Sequence, residues 1–251
     1  MRALVTGGTS GIGKEIALEL SRRGYDLLLV SRNENDFKEM VKEARTHLEF
    51  LSYDLSKEEE CRRLLLETEK TEIDVFVSNA GFGDIGAFDR TSLEKEIEMV
   101  KVNDIATLIL VKGFMIRFSE RDRGKILVTA SAAAFGVAGY MNVYYASKAF
   151  VYSLMHGYYR ELKDRKSKVM VSVLCPGPVK TAFEKRGNME FSLHAQDPKK
   201  IARYAVSCFF RGRFEIVPCL SMKLSHVFSH LVPKRWISKL LNKQAQIKNG
   251  N

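Results

Sequence analysis

Tyr144 and Lys148 lie four residues apart in Tyr144-Tyr145-Ala146-Ser147-Lys148, at the start of a predicted helix. Residues i and i+4 share a helix face, so the phenol and the ammonium can point into one site. A tyrosine ordinarily loses its proton near pH ~10, and a neighbouring ammonium favours the phenolate and lowers that value. Such a tyrosine can act as acid or base nearer neutrality. Tyr145 is three residues from Lys148 and can also face it, so spacing alone does not choose between the two tyrosines.

A second chemical feature stands near the start of the chain. Thr6-Gly7-Gly8-Thr9-Ser10-Gly11-Ile12-Gly13 follows a predicted strand and opens a predicted helix. Glycines permit the tight turn and the close approach of backbone to a pyrophosphate, and the helix start offers free N–H groups and a positive dipole end. The spacing is G-x-x-x-G-x-G rather than G-x-G-x-x-G. Past the second predicted strand comes Ser31-Arg32-Asn33, where a dinucleotide fold reads the adenosine ribose. A carboxylate there would bind two ribose hydroxyls, whereas the fork of Arg32 suits a 2′-phosphate. Arg32 therefore favours NADP(H), with Glu34 and Asp36 just beyond weighing against it.

These groups need a scaffold that brings distant segments together. Short β-branched runs alternate with amphipathic stretches. The predicted strands are Ala3–Val5, Leu27–Val30, Glu49–Leu51, Val75–Val77, Lys125–Thr129, Val169–Leu174 and Glu215–Val217. The predicted helices are Ile12–Arg23, Asp36–Thr46, Lys57–Thr68, Leu93–Ser119, Val143–Lys166 and Pro198–Phe209. Continuously apolar strands alternating with helices indicate an α/β, doubly wound, mainly parallel sheet covered on both faces. A chain of 251 residues suits one such domain.

The net charge of +10 is unevenly spread. No Asp or Glu follows Glu215, whereas Lys223, Lys234, Arg235, Lys239, Lys243 and Lys248 do. In the same tail Leu224, Val227, Phe228 and Leu231 recur at helical spacing, and after Pro233 the pattern resumes with Trp236, Ile237, Leu240 and Leu241. Residues 1–217 are expected to form the domain and 218–251 a basic amphipathic extension. This extension has three readings: packing on its own or a second subunit, lying on an anionic membrane, or walling a long apolar pocket. Nucleic acid is not an expected partner, since no recognition motif accompanies the charge. Cys61, Cys175, Cys208 and Cys219 fit no zinc spacing and read as reduced residues of a cytoplasmic protein. Apolar strand pattern starts at Ala3, so no signal peptide is expected. His226 and His230 are four apart but have only Cys219 nearby, and no metal site is expected.

Taken in order, Thr6-Gly7-x-x-x-Gly11-x-Gly13, Asp54-Leu55, Asn79-Ala80-Gly81, Asn103, Ser131, Tyr144-x-x-x-Lys148 and Pro176-Gly177-x-Val179-x-Thr181 resemble the short-chain dehydrogenase/reductase family over about residues 1–217. The resemblance implies a single-domain Rossmann fold with a seven-stranded sheet, and it selects Tyr144 over Tyr145. It implies reversible hydride transfer between NADP(H) and a carbonyl/alcohol pair. Tyr144 would pass a proton to the carbonyl oxygen and Ser131 would donate a second hydrogen bond to it. Lys148 would lower the tyrosine pKa and hold the nicotinamide ribose, and Asn103 would hold a water linking Lys148 to solvent. On the cofactor side, Gly7, Thr9, Ser10, Gly11, Ile12 and Gly13 would cradle the pyrophosphate, with Arg32 on the 2′-phosphate. Asp54 and Leu55 would contact the adenine, Asn79, Ala80 and Gly81 the adenosine ribose, and Pro176, Gly177, Val179 and Thr181 the nicotinamide side. A homodimer or homotetramer is implied as well. Ser78 and Ser10 depart from the family's frequent Asn and, in NADP-preferring relatives, basic residue; Arg32 alone carries that preference.

Phe82, Phe135, Tyr140 and the tail are expected to make the pocket apolar, which suits steroid, acyl or other lipophilic carbonyl compounds. Segment 182–197, with Phe183, Met189, Phe191 and His194, is expected to form part of a lid. A non-catalytic redox sensor that only binds NADP(H), or a membrane-associated scaffold acting through the tail, are the alternative readings.

Overall fold

The computed structural model describes residues 1–180 and 195–219, with positions 222, 223, 233, 235, 236, 238, 239 and 242 beyond them; at 35 and 36 it describes the backbone alone. In chain order the elements are β1 (Arg2–Thr6), α1 (Gly11–Arg22), β2 (Asp26–Ser31), α2 (Asn35–Glu43), β3 (Leu48–Ser52) and α3 (Glu58–Glu67). Then come β4 (Val75–Ser78), α4 (Leu93–Val100), a π-helical turn (Lys101–Ile105), α5 (Ala106–Glu120) and β5 (Lys125–Thr129). A 3₁₀ turn (Ala132–Phe135), α6 (Asn142–Asp164), β6 (Met170–Leu174), α7 (Pro198–Phe210) and β7 (Glu215–Ile216) complete the order.

The seven strands form one sheet in the order β3-β2-β1-β4-β5-β6-β7. Every neighbouring pair is parallel, so the expected mainly parallel sheet is parallel throughout. Alternating side chains explain why the strands are apolar on both sides. Ala3, Val5, Val75, Val77 and Leu127 enter the layer that contains Ile16, Leu20, Ala202 and Phe209 of α1 and α7. Leu4, Phe76, Ile126 and Val128 point the other way, among Leu64, Leu110, Phe114 and Met155 of α3, α5 and α6. Phe76 and Phe114 stack with ring centroids 4.3 Å apart.

Chain order reverses direction at β1, whose neighbours are β2 and β4. The crevice outside the carboxyl ends of strands at such a reversal is where open α/β sheets bind ligands. One helix departs from expectation. The predicted continuous helix over 93–119 is α4 and α5 joined by the π turn, in which the Ala106 N–H donates to the Lys101 carbonyl five residues back. A π turn widens the helix by one residue. It buries three consecutive side chains, Val102, Asn103 and Asp104. Apolar periodicity is blind to so short an insertion.

Candidate active site

The glycine loop is fixed by contacts that only glycine permits. Gly7 has φ +61°, and a Cβ there would lie 3.0 Å from the Ala80 Cα. At Gly13 a Cβ would come within 2.2 Å of the Gly7 carbonyl oxygen and 2.4 Å of the Asn79 amide nitrogen. Thr6 Oγ1 accepts from the Asn79 and Ala80 N–H groups at 3.0 and 3.2 Å, tying the ends of β1 and β4. Asn79 donates to the Gly7 carbonyl at 3.4 Å and accepts from Thr129 Oγ1 at 3.1 Å, which brings in β5. Thr9 Oγ1 donates to Ser31 Oγ at 3.0 Å, linking the loop to β2. Ser10, extended at the N-cap of α1, makes no side-chain cap, and Gly11 and Ile12 open the helix. Its first N–H groups can take an anion.

Arg32 lies past the end of β2, with Asp54 past β3. Arg32 Nη1 is 3.1 Å from Glu98 Oε1 and 4.0 Å from Asp54 Oδ1. Burial alone would raise the Asp54 carboxyl; hydrogen bonds from the Ser56 N–H and hydroxyl and the charge of Arg32 overcome it and hold the group below its usual value. Leu55 is buried in the core and its carbonyl accepts from the Cys61 thiol.

The catalytic candidates converge beside this loop. Ser131 precedes the 3₁₀ turn, and its Oγ accepts from the Ala133 N–H at 3.1 Å. The same hydroxyl hydrogen-bonds the Tyr144 phenol. Lys148, one turn further along α6, is buried; its Nζ donates to the Thr129 carbonyl at 3.2 Å and lies 5.9 Å from the Tyr144 ring centroid. Asn103 from the π turn is 1 % exposed. It donates to Ser147 Oγ at 3.0 Å, which in turn donates to the Tyr144 carbonyl at 2.9 Å. A Cβ on Gly81 would be 2.8 Å from Asn103 Oδ1 and 3.4 Å from Lys148 Nζ, so this glycine lets β4's end approach both.

One electrostatic expectation is corrected. Lys148 does not depress Tyr144 below its ordinary value in the protein alone; burial pushes the phenol up to about 12, against the opposing pull of the Ser131 hydrogen bond. Desolvation disfavours the phenolate, and the Ser131 hydrogen bond only partly offsets it. Burial likewise lowers Lys148 to about 8, opposed by Asp104. Asp104 itself is raised by burial to about 6. The Cys175 thiol, beside Ser131 and Lys148, is also pushed up by burial.

Pro176 accepts from the Ala132 N–H at 2.9 Å, which joins the end of β6 to the Ser131 segment. Gly177 faces Met222, whose Cγ would be 3.1 Å from an added Cβ. Val179 is buried and bridges Gln196. Thr181, residues 182–194 of the lid expected over 182–197 (His194 among them) and the histidines His226 and His230 lie outside the described residues.

A small pocket opens beside Tyr144, lined by Asp84, Glu96, Met99, Tyr140 and Met141 among others. Its wall is mixed rather than uniformly apolar, and the buried Asp84 pairs with Lys95 at 2.7 Å. Tyr140 holds φ +63°, a left-handed conformation costly for a residue with a Cβ, and its carbonyl accepts from the Gly86 N–H at 2.8 Å. Phe135, expected in the pocket wall, packs edge-on against Tyr152 with ring centroids 5.3 Å apart, at the border of the core. Tail positions reach the site from two sides: Met222 at Gly177, and Asn242, whose Oδ1 accepts from the Gly139 N–H at 2.6 Å. Asp104, Thr129 and Ser147 were not singled out by sequence, because their roles depend on the π turn and on backbone groups.

Residues 1–190 match the family model described as short chain dehydrogenase. An uncharacterized oxidoreductase of Staphylococcus saprophyticus is 31% identical over 211 residues, covering 81% of this chain and 88% of that protein. A 7beta-hydroxysteroid dehydrogenase of Clostridium sardiniense is 28% identical over 172 residues, 67% of this chain and 66% of that one. Among solved structures, a short-chain dehydrogenase from Sphingobium yanoikuyae in complex with NADPH superposes with TM-score 0.83 at 25% identity, covering 92% of this chain and 93% of the other. With its parallel sheet, glycine loop and Ser131–Tyr144–Lys148 cluster, the chain belongs to the short-chain dehydrogenase family of oxidoreductases.

Proposed function

We propose that the chain catalyses reversible hydride transfer between NADP(H) and a lipophilic carbonyl/secondary alcohol pair. The observation that carries this is the convergence of Ser131, Tyr144 and Lys148, with the lysine Nζ 5.9 Å from the Tyr144 ring centroid and Gly81 close beside it. The loop fits a dinucleotide, because Gly7 and Gly13 leave room that a Cβ would fill and α1 begins there uncapped. Gly7, Thr9, Gly11 and Gly13 would hold the pyrophosphate, Arg32 the 2′-phosphate, and Asn79 and Gly81 the adenosine ribose. When bound, the nicotinamide supplies the hydride in reduction and accepts it in oxidation.

In reduction Ser131 donates a hydrogen bond to the substrate carbonyl oxygen, where negative charge develops. Tyr144 transfers its phenolic proton to that oxygen, giving the alcohol and leaving a phenolate. Lys148 stabilises the phenolate by its charge, and the phenol regains its proton from solvent. Asn103 and Ser147 fix the start of α6, so that both side chains keep their aim. A tyrosine that is protonated at neutral pH suits the acid role.

The preference for NADP(H) rests on Arg32, and the NADPH complex of the Sphingobium yanoikuyae relative supports it. Lipophilic substrates are supported by the hydroxysteroid dehydrogenase among the relatives. A homodimer or homotetramer is supported by exposed Ile97, Ile116 and Phe150 on α4, α5 and α6. The exposed Trp236 and the basic tail favour contact with an anionic membrane surface as a second role. Among the described residues no helix is long and apolar enough to cross a membrane.

NADPH consumption across steroid, acyl, aromatic and sugar carbonyls, with NADH in parallel, tests this reading. Turnover of lipophilic ketones with NADPH is expected. Activity confined to small polar sugars, or faster turnover with NADH, contradicts it.

A further inference from the structure

Asp104 is a buried side chain near the site that the proton-transfer scheme leaves unused. It is 7 % exposed and its Oδ1 is buried without a hydrogen-bond partner among the described residues. A carboxylate in that state is costly unless an opposite charge faces it. The π turn points it inward directly after Asn103, and the π turn packs on α6, which carries Lys148. Lys148 faces Asp104 as a charge across the interior, without a direct hydrogen bond between them. One further group faces the lysine, the Cys175 thiol at the end of β6, and Glu215 of β7 acts on that thiol. Cys175 is held neutral by burial, so Asp104 is the anion that Lys148 meets.

We propose that Asp104 is the counter-charge that keeps Lys148 protonated, making it a positioning residue that acts on Tyr144 through the lysine. The inference rests on the oxidoreductase reading for its effect on Tyr144, but the charge pairing itself does not. Each partner offsets the desolvation of the other, which burial would otherwise relieve by neutralising both. With Asp104 at about 6 and Lys148 at about 8, both are charged between those values. Inside that window Lys148 presents an ammonium to the phenol. Without Asp104 the lysine loses its proton at lower pH, and the phenolate becomes harder to form.

The test uses Asp104→Asn, which keeps shape and removes charge, and Asp104→Glu, which keeps charge. For alcohol oxidation the base is the phenolate, so kcat/KM rises with pH. The rising limb of Asp104→Asn is expected to move up by about one pH unit, and Asp104→Glu to return it towards the natural position. A limb that stays in place in folded Asp104→Asn overturns the proposal, even if activity falls.

A second measurement needs no turnover. Urea unfolding at pH 7 of the natural protein, Asp104→Asn, Lys148→Met and the double variant gives the pair's coupling. Lys148→Met is expected to lower the urea midpoint much more when Asp104 is present than when Asn stands there; equal losses overturn the pairing. Should Asp104→Asn not fold, Lys148→Met alone suffices. Its stability relative to the natural protein is expected to fall from pH 5 to pH 8, as the unpaired carboxyl is forced to ionise, and parallel curves contradict the proposal. Coupling without turnover would retain the pair and remove the oxidoreductase reading; turnover without coupling would do the reverse.

Discussion

The Asn103 side chain clamps the backbone of Phe82 from both sides: Oδ1 accepts from the Phe82 N–H at 3.0 Å, and Nδ2 donates to the Phe82 carbonyl at 2.9 Å. The same Nδ2 reaches Ser147 Oγ, so one amide couples the segment after β4 to the first turn of α6. Catalytic geometry therefore depends on a residue placed by the π turn.

Asn103→Ala leaves the Phe82 N–H and carbonyl without these partners in a half-buried place. A loss of about 1–3 kcal/mol in unfolding free energy is expected, with lower kcat as the start of α6 loosens. Urea unfolding and steady-state kinetics check it.

Gly13→Ala should weaken dinucleotide binding. Its Cβ meets the carbonyl oxygen of Gly7, which is backbone and cannot swing aside. NADPH affinity measured by fluorescence titration should fall at least about tenfold, a change of about 1.4 kcal/mol. Unchanged affinity would mean that the loop holds no pyrophosphate.

The Arg32–Glu98 pair is exposed, with side chains 56% and 39% accessible, so screening by water leaves it little part in stability. Arg32→Ala should leave the urea midpoint nearly unchanged while weakening NADPH binding about tenfold or more, because a 2′-phosphate would lose its bidentate donor. NADH binding should be unaffected, and equal losses for both cofactors would point to a general effect on the loop.

Tyr144 should stay protonated well past neutrality in the free protein. Burial raises its value to about 12, so the folded chain keeps this proton after an unfolded tyrosine has released its own near pH ~10. The resulting stability is complete below pH ~10 and is lost as pH climbs through the folded value. Ultraviolet difference titration of the natural protein against Tyr144→Phe should reveal no phenolate from this position below pH ~10. Adding NADP⁺ should bring its ionisation lower, since a positive ring beside the phenol favours the phenolate.

Much of the site was legible from the chain because its parts are local. The glycine loop needs one strand, one turn and one helix; Tyr144 and Lys148 need one helical turn. The sheet was legible because Ala3, Leu4 and Val5 are apolar in succession, and Leu4 enters a different layer from its two neighbours. What depended on distant groups was not. Asp104 lies inside the predicted helix over 93–119, and it is the π turn that buries it. Thr129 contributes a carbonyl to Lys148, and backbone carries no residue-type signal. Phe135 looked like a pocket wall but found Tyr152. The Tyr144 phenol shifts upward because of burial, which spacing does not disclose.

If Tyr144 is the proton-transfer group, its loss must strike the chemical step and spare cofactor binding. Single-turnover reduction of a ketone by Tyr144→Phe, with NADPH binding measured on the same preparation, separates the two. The rate is expected to fall by about 10²–10⁴-fold with NADPH affinity unchanged. A rate equal to that of the natural protein would contradict it.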